Sequence, residues 1–505
     1  FISTLPSFAQ LSGTYSIGSG ASNFSSIQQA VDSLIVQGIN GPVVFNLVNS
    51  VYSEQIRIPE INGASSSNTI TIQSDLNSNA TWTYDSATAN KNYVLKLDSA
   101  DHFIIQGILF TNPSLNFGRL IEIDGDANHN AFIKNGFTGQ NVNSTSDNYA
   151  LVYSSGGRDT LNIFDSNSFS KGSVGLYWSG SGNPESYNQV INNSFWGQYA
   201  RAIYCSNQAE LLIENNYIGS NSSASTFTGI EVENSTDYVK VIRNQISFSS
   251  EGFCLLLDAI QAQAGTEALI ANNFLHAGGN TAAIGVFVET SNYINIYNNN
   301  INITSTTIGS AGRAINIQDV NGRTSHIKMR NNIIVNRGLG FGIITFTTDT
   351  VSSDYNCFYT PNCPFGYWNG YSTNTMAIWW LYTNQDSNSI IANPGFFSPS
   401  NLHVSQRNLD SNGLSLAEVI YDIDGDVRDS LYPDIGADEF NVFLNDIGLT
   451  QIVDPIAPCP NASSMISVRV KNFGLDTINS IEFDWFVNGL KKNSNPIVKT
   501  VVLAP

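Results

Sequence analysis

A short phrase returns along most of the chain: an apolar residue, one or two asparagines, a variable residue, then Phe, Ile or Leu. It appears as Asn135-Gly-Phe137, Asn167-Ser-Phe169, Asn193-Ser-Phe195, Asn216-Tyr-Ile218, Asn244-Gln-Ile246, Asn273-Phe-Leu275, Asn299-Asn-Ile301 and Asn332-Ile-Ile334. Gln106-Gly-Ile108 opens the series and Asn356-Cys-Phe358 closes it. The anchors stand 23 to 33 residues apart, about 28 on average, which is one coil of a β-solenoid rather than a helical repeat. A second segment of each coil alternates strictly, as in Leu120-Ile-Glu-Ile-Asp124, Ala202-Ile-Tyr-Cys-Ser206, Gly229-Ile-Glu-Val-Glu233, Gly285-Val-Phe-Val-Glu289 and Ala314-Ile-Asn-Ile-Gln318. Period two predicts strands with one buried face. Stacked coil on coil, Ile121, Leu151, Leu176, Ile203, Ile230, Leu255, Val286, Ile315 and Ile343 are expected to form one inward column. The repeated Asn suits tight turns, because it tolerates left-handed backbone. It can also hydrogen-bond to its counterpart one rung away, a structural role.

The two ends read differently. Residues 23–36 predict an amphipathic helix capped by Ser25 or Ser26, with Ile27, Val31, Leu34 and Ile35 buried. Strands at 43–47, 56–58 and 69–72 follow, and the helix is expected to cover the open edges of the first coil. The repeat stops near Asp354, and residues 377–382 predict a short packed helix. From Asn445 the pattern changes to antiparallel-type strands at 446–451, 466–472 and 481–489. The expected class is all-β: a right-handed parallel β-helix with an N-terminal cap over 1–440, then an Ig-like β-sandwich over 441–505. The latter is short of the ~100 residues such a sandwich uses, so the chain is expected to end inside a domain of a longer protein.

Composition narrows the setting. Hydrophobic residues are 42% of the 505, ample for a continuous core, and charged residues only 12%, about half the usual share. The net charge is −19, from 22 basic and 41 acidic residues, so nucleic acid is not an expected partner. The same charge suits Ca2+, neutral glycans and an extracellular location. No apolar run reaches ~18 residues, so no membrane insertion is expected. The five cysteines (Cys205, Cys254, Cys357, Cys363 and Cys459) and five histidines show no metal-ligand spacing. Cys357 and Cys363 flank a Phe-Tyr-Thr-Pro-Asn segment; a local disulfide and two buried thiols both remain open.

Longer phrases carry a likeness. Leu11-Ser-Gly-Thr-Tyr-Ser-Ile-Gly18, Gly41-Pro-Val-Val-Phe-Asn46 and Tyr52-Ser-Glu-Gln55 lie at the start. Asp354-Tyr-Asn356, Trp379, Asn393-Pro-Gly-Phe-Phe397 and Leu402-His403 lie after the repeat, and Asp422-Ile-Asp-Gly-Asp-Val-Arg428 with Pro433-Asp-Ile-Gly-Ala-Asp-Glu-Phe440 follow them. These resemble the N-terminal cap, closing coils and C-terminal signature of secreted bacterial right-handed parallel β-helix repeat proteins, a group rich in type IX secretion cargo and large surface adhesins. Residues 446–505 are similar to the CARDB-like adhesion modules that follow such helices. The resemblance implies the fold and a secreted or cell-surface location. It is poor for activity, since the group spans adhesins, repetitive surface proteins and polysaccharide-degrading enzymes.

Chemistry is sought on the outward positions of the alternating strand. One outward column reads Glu122, Val152, Tyr177, Tyr204, Glu231, Leu256, Phe287, Asn316 and Ile344; its neighbour reads Asp124, Ser154, Ser179, Ser206, Glu233, Asp258, Glu289, Gln318 and Phe346. Glu233, Asp258 and Glu289 on consecutive rungs are the candidate catalytic or Ca2+-binding carboxylates. Tyr177, Tyr204 and Glu231 are the candidate binding residues, as tyrosine faces can stack on sugar rings. A plain solvated strand end is the alternative. Arg243 and Lys240 share a coil with Glu233 and are the cations a lyase would use. The Asp422-Ile-Asp-Gly-Asp426 run resembles a calcium loop, yet Gly425 falls fourth where an EF-hand needs its glycine sixth. A structural turn with Arg428 paired to a nearby Asp is expected instead. An Asp-Asp pair, Gly-His-Gly and Arg-Ile-Lys, signatures of β-helix pectinases, are missing. The residues therefore favour a non-enzymatic structural or adhesive module of a large bacterial surface protein, appendage or filament. The alternative is a polysaccharide lyase or glycoside hydrolase. Glycans or other surface proteins are the expected partners, with a homo-oligomer or filament left open and no cofactor beyond Ca2+.

Overall fold

A computed structural model of the chain describes residues 9–504, apart from 76–78, 86, 222–225, 280–281, 306–311, 348–349, 442, 444, 455–465 and 475. Three sheets of thirteen strands each run side by side, and every coil contributes one strand to each. The result is the right-handed parallel β-helix expected. We call the sheets first, second and third by the order in which a coil visits them; one coil is Phe103–Gln106, Leu109–Thr111 and Ile121–Asp124. Pairing is parallel until the last rung of the third sheet, where Gly366–Trp368 meets Tyr371–Thr373 antiparallel.

One core fills the interior from Leu11 to Trp379. Inward columns stack like on like. In the second sheet Phe110, Phe137, Phe169 and Phe195 lie ring on ring with centroids 5.5, 4.8 and 4.4 Å apart. In the third sheet Ile121, Val152, Leu176, Ile203, Ile230, Leu255, Val286, Ile315 and Ile343 are register partners. The expected column differs at one member. Leu151 is buried one residue earlier, level with Leu120 at the corner, and Val152 takes the inward place. Ala150-Leu-Val-Tyr-Ser154 has two adjacent aliphatics, so alternation alone does not fix its phase.

The asparagine ladder runs along the corner between the first and second sheets from Asn135 to Asn356. Each Asn amide oxygen accepts the backbone N–H of the Asn one coil earlier: Asn135 to Asn167 at 2.9 Å, then through Asn193, Asn216, Asn244, Asn273 and Asn299 to Asn332 and Asn356 at 2.9 Å. Its amide nitrogen donates to the next rung and to a first-sheet carbonyl, as Asn273 Nδ2 does to Asn299 Oδ1 and Val241 O, both at 2.9 Å. The left-handed backbone falls on the residue before each anchor rather than on the anchor: Lys134, Ser166, Asn192, Asn215, Arg243, Asn272, Asn298, Asn331 and Tyr355 all have positive φ. The paired Asn-Asn phrases thus divide the labour, the first making the turn and the second bonding it.

Both ends are closed. The helix Ile27–Gln37 is capped by Ser26, whose side chain accepts from Gln29 N, and the Glu54 carboxylate accepts from Ile27 N and Gln28 N at 3.0 and 2.9 Å. Its buried stripe is Ile27, Ala30, Val31 and Leu34, while the expected Ile35 is 47% exposed. Ile35 sits about 100° round from Leu34, off the covering face. At the other end stacking continues past Asp354 to Ile390–Ile391, one coil beyond the expected stop. There the helix Met376–Thr383 lays Trp379, fully buried, against Phe365 and Trp368, with its indole N–H donating to Asp386 at 2.9 Å.

Residues 392–440 then return along the outside of the last coils as a strap almost without regular structure. Outward corner amides hold it: Asn272 Nδ2 donates to Tyr421 O at 2.6 Å, Asn331 Nδ2 to Leu414 O at 2.7 Å and Asn300 Nδ2 to Leu402 O at 2.8 Å. Apolar clusters complete the seal, with Val404, Leu409 and Ile435 on Ile333, Val335 and Cys357, and Val419 on Leu269, Ala271 and Tyr297. The Asp422–Asp426 run is a structural turn, Asp422 Oδ1 accepting from Asp424 N and Asp426 N at 2.9 and 2.8 Å. Arg428 pairs with Glu439 at 3.0 Å rather than with an Asp, because both backbone-facing oxygens of Asp422 are already taken. Beyond the strap lie three antiparallel pairs, Ile447–Asp454 with Ser467–Asn472, Ile478–Phe483 with Ile497–Leu503, and Phe486–Val487 with Leu490–Lys491. Cys357 and Cys363 are both thiols, donating to Ala392 O at 3.4 Å and Asn336 O at 3.7 Å. Burial pushes their thiols up to about 12 and about 11. Cys459 lies outside the described residues.

Two outcomes are expected. Asn273→Ala strands the buried Asn244 N–H and the Val241 carbonyl, so it should cost about 2–5 kcal/mol in urea unfolding, whereas Gln245→Ala on the neighbouring outward position should cost little. A second buried corner holds Asp159 and Glu185, fully enclosed, with Glu185 Oε1 accepting from Asp159 N at 3.0 Å. Burial raises both carboxyls to about 7, against ~4 in an unfolded chain. Their contribution to stability is therefore complete below about pH 4 and is lost as pH climbs towards about 7. Glu185→Gln should flatten the fall in unfolding midpoint between about pH 4 and about pH 7; an unaltered slope would refute this assignment.

Candidate functional site

The outward face of the third sheet carries most of the sequence-level candidates. Register places Glu122, Tyr153, Tyr177, Tyr204, Glu231, Leu256, Phe287, Asn316 and Ile344 in one column. The phase that moved Val152 inward brings Tyr153 out in its stead, and Ser154 joins Trp178 and Cys205 on an inward rung. Tyr153, Tyr177 and Tyr204 become a continuous stack, with centroids 5.1 and 4.7 Å apart and planes within 28°. The Arg119 guanidinium caps it 3.2 Å above the Tyr153 ring, and Arg201 lies 5.3 Å from the Tyr204 centroid. These rings spend their faces on one another. Only edges and hydroxyls are left for a ligand at Tyr177, which is not the flat platform expected of it.

The charges beside the stack are paired. Arg201 holds Glu231, the Tyr204 hydroxyl donates to Glu233 Oε2 at 2.8 Å, and Lys96 donates to Glu122 and Asp124 at 2.8 and 2.7 Å. Glu231 is 4% exposed, and its burial, against the pull of Arg201, lifts its carboxyl to about 7. Burial and the Glu233 charge raise Asp258, and burial and the Asp258 charge raise Glu289. The three carboxylates are register partners on successive rungs, Glu233 with Asp258 and Asp258 with Glu289. The three do not form a cluster with all donor oxygens within 4.8 Å of one another, which leaves pairs on adjacent rungs as the sharing units. Arg243 and Lys240 are elsewhere: Arg243 pairs with Glu214 at the asparagine corner, and Lys240 is on a first-sheet strand. Sharing a coil with Glu233 does not mean sharing a face, because one coil turns through all three sheets.

One feature escaped the sequence reading. The residue after four consecutive third-sheet strands turns left-handed (Asn207, Asn234, Ala259 and Thr290 have positive φ), and these turns floor an open groove of about 700 Å3. Asn207, Asn234, Gln261, Thr290, Asn292 and Arg323 line it. Glu233, Asp258 and Glu289 end the strands that lead directly into it. The available signal was the pairs Glu233-Asn234 and Glu289-Thr290 at two strand ends, but it was masked by the abundance of Asn elsewhere and by Ala259 after Asp258. The groove is thus a polar surface of amides and hydroxyls with an acidic rim.

Tyr177→Ala breaks two stacked contacts and should cost about 1–3 kcal/mol beyond lost area, with Tyr177→Phe near wild type. A neutral effect of the alanine in thermal unfolding would show that the stack is not a structural column.

No protein-family description and no curated protein matches the chain. Among solved structures it is similar to pectate lyase Pel9A, at 13% identity and TM-score 0.42, over 85% of this chain and 97% of that one. It is also similar to XylC in complex with xylose (9%, TM-score 0.46, 85% and 98%) and to GH136 lacto-N-biosidase from Eubacterium ramulus (8%, TM-score 0.40, 75% and 67%). At such identities and scores, the likeness assigns neither activity nor substrate to this chain.

Proposed function

We propose that the protein is a non-enzymatic extracellular module, a stiff structural and adhesive element of a large bacterial cell-surface protein, appendage or filament. The observation that supports this reading is the state of the charges on the third-sheet face. Glu231 and Lys96 are locked in ion pairs and Glu233 in a hydrogen bond, and the cations Arg243 and Lys240 stand on other faces. General acid–base work needs a group that reaches the substrate and is free to exchange a proton. Glu231, the one carboxyl on this face held at about 7, is buried.

In this reading the amide-lined groove contacts glycan. Asn and Gln donate and accept at once, which suits sugar hydroxyls, while the acidic rim repels uronate polymers. The trailing antiparallel pairs belong to an Ig-like, CARDB-like adhesion unit, and export follows the type IX route. The competing reading is a polysaccharide lyase or hydrolase using Glu233, Asp258 and Glu289. Its support is their placement along the rim of a groove.

Incubation with pectin, alginate and neutral polysaccharides, with and without Ca2+, separates the two. Expected are no unsaturated or reducing ends, together with retention of a neutral glycan that weakens in an Asn234→Ala, Asn292→Ala double variant. Product that appears with wild type and disappears with Glu233→Gln would establish the enzyme instead.

A further inference from the structure

Away from the third-sheet face, the return strap gathers three potential metal ligands. His403, Asp424 and Asp438 come from three separate strap segments, yet one donor atom of each lies within 4.8 Å of the others. The imidazole stands edge-on to Phe274 of the coil beneath, with centroids 4.8 Å apart, so its orientation is fixed by packing.

The tautomer is fixed as well. His403 Nδ1 lies 2.6 Å from Asn401 Oδ1. That atom is oxygen and not nitrogen, because the His403 backbone N–H also points to it, at 3.3 Å. Nδ1 therefore carries a proton, and Nε2 is the free end of the ring. It faces Asp424 Oδ2 at 2.9 Å, with the Asp438 carboxylate alongside. A neutral imidazole there aims a lone pair at two anions, an arrangement that requires positive charge between them.

Asp438 is 7% exposed, among the described residues its carboxylate accepts one long 3.4 Å bond from Val404 N, and the buried strap cation Arg428 is engaged by Glu439. A single proton on Nε2 leaves the three side chains with a net negative charge, whereas a divalent cation brings them to zero. Ligands ~2.0–2.2 Å from a tetrahedral ion are ~3.4 Å apart, so Nε2 and Asp424 Oδ2, 2.9 Å apart, need only a small opening to admit one. An imidazole whose other nitrogen donates to an amide oxygen is the usual supporting arrangement for a metal-bound histidine. Asp424 is half exposed, which leaves the remaining positions to water.

We propose that His403, Asp424 and Asp438 form a divalent transition-metal site, of the Zn2+ class, that staples three segments of the return strap together. One imidazole among carboxylates favours such an ion over Ca2+, which takes oxygen ligands alone. The site is structural, and the ion holds the strap against the last coils.

The test uses the full chain stripped with EDTA and titrated with Zn2+, Co2+ and Ca2+ by calorimetry, with thermal unfolding in parallel. Expected are one equivalent of Zn2+ bound, a raised unfolding temperature, and a visible Co2+ spectrum carrying a nitrogen-ligand signature. His403→Gln and Asp424→Asn, both at accessible side chains, should weaken binding by about 100-fold or more, and Asn401→Ala by about 10–100-fold. The metal-free variants should unfold near the metal-free wild type. No Zn2+ binding by the wild type, binding unchanged in both ligand variants, or a preference for Ca2+ would each overturn the site and leave an imidazolium–carboxylate contact.

Discussion

The buried asparagine corner is the constraint on which the rest of the fold depends. Each coil must turn sharply between its first and second strands, and the turn leaves a backbone N–H and a carbonyl inside the protein with no strand partner. Left unpaired, each such group costs about 1–3 kcal/mol. A side-chain amide supplies an acceptor and two donors, so one Asn per coil closes both vacancies and reaches the next Asn as well. Because its oxygen serves the coil below and its nitrogen the coil above, no rung is satisfied alone. Coil length can therefore vary from 23 to 33 residues between anchors, with insertions expelled into the loops, while the corner stays in register.

That dependence explains what the sequence reveals. The Asn phrase and the period-two strands are local patterns repeated many times, so fold, direction of stacking and most of the inward columns are legible without coordinates. Errors fall where a pattern occurs once or has two solutions. Leu151 and Val152 are both aliphatic, and only the neighbouring rungs decide which one faces in. Ile35 is as hydrophobic as its buried neighbours but points off the covering face, whereas the small Ala30 lies on it. The strap leaves a subtler trace. Residues 268–271 and 333–335 are apolar at positions that should alternate, as strands covered on both faces are. Nothing local says that the cover comes from residues 392–440.

The candidate site is less legible for a related reason. Outward residues are free of the core's demands, so their types carry chemistry, but their partners come from other rungs. Tyr177 and Tyr204 were visible as tyrosines; that Tyr153 joins them, and that all three consume each other's faces, depends on the register. Glu233 was visible as a carboxylate, whereas its hydrogen bond to Tyr204 and the groove it borders are properties of stacked coils. His403 looked isolated in the chain, and its carboxylate neighbours arrive from 21 and 35 residues away along the strap.

The two plugs, Ile27–Gln37 at one end and Trp379 at the other, also decide how such rods can be put together. A bare solenoid terminus is a template on which a second molecule can continue all three sheets, which is the route to uncontrolled axial fibres. Here a helix packs over the first coil and Trp379 fills the interior of the last, so the apolar core is open at neither end. For the filament proposed above, coaxial stacking of core on core is therefore disfavoured, and joining would fall to the flanks or to the polypeptide itself.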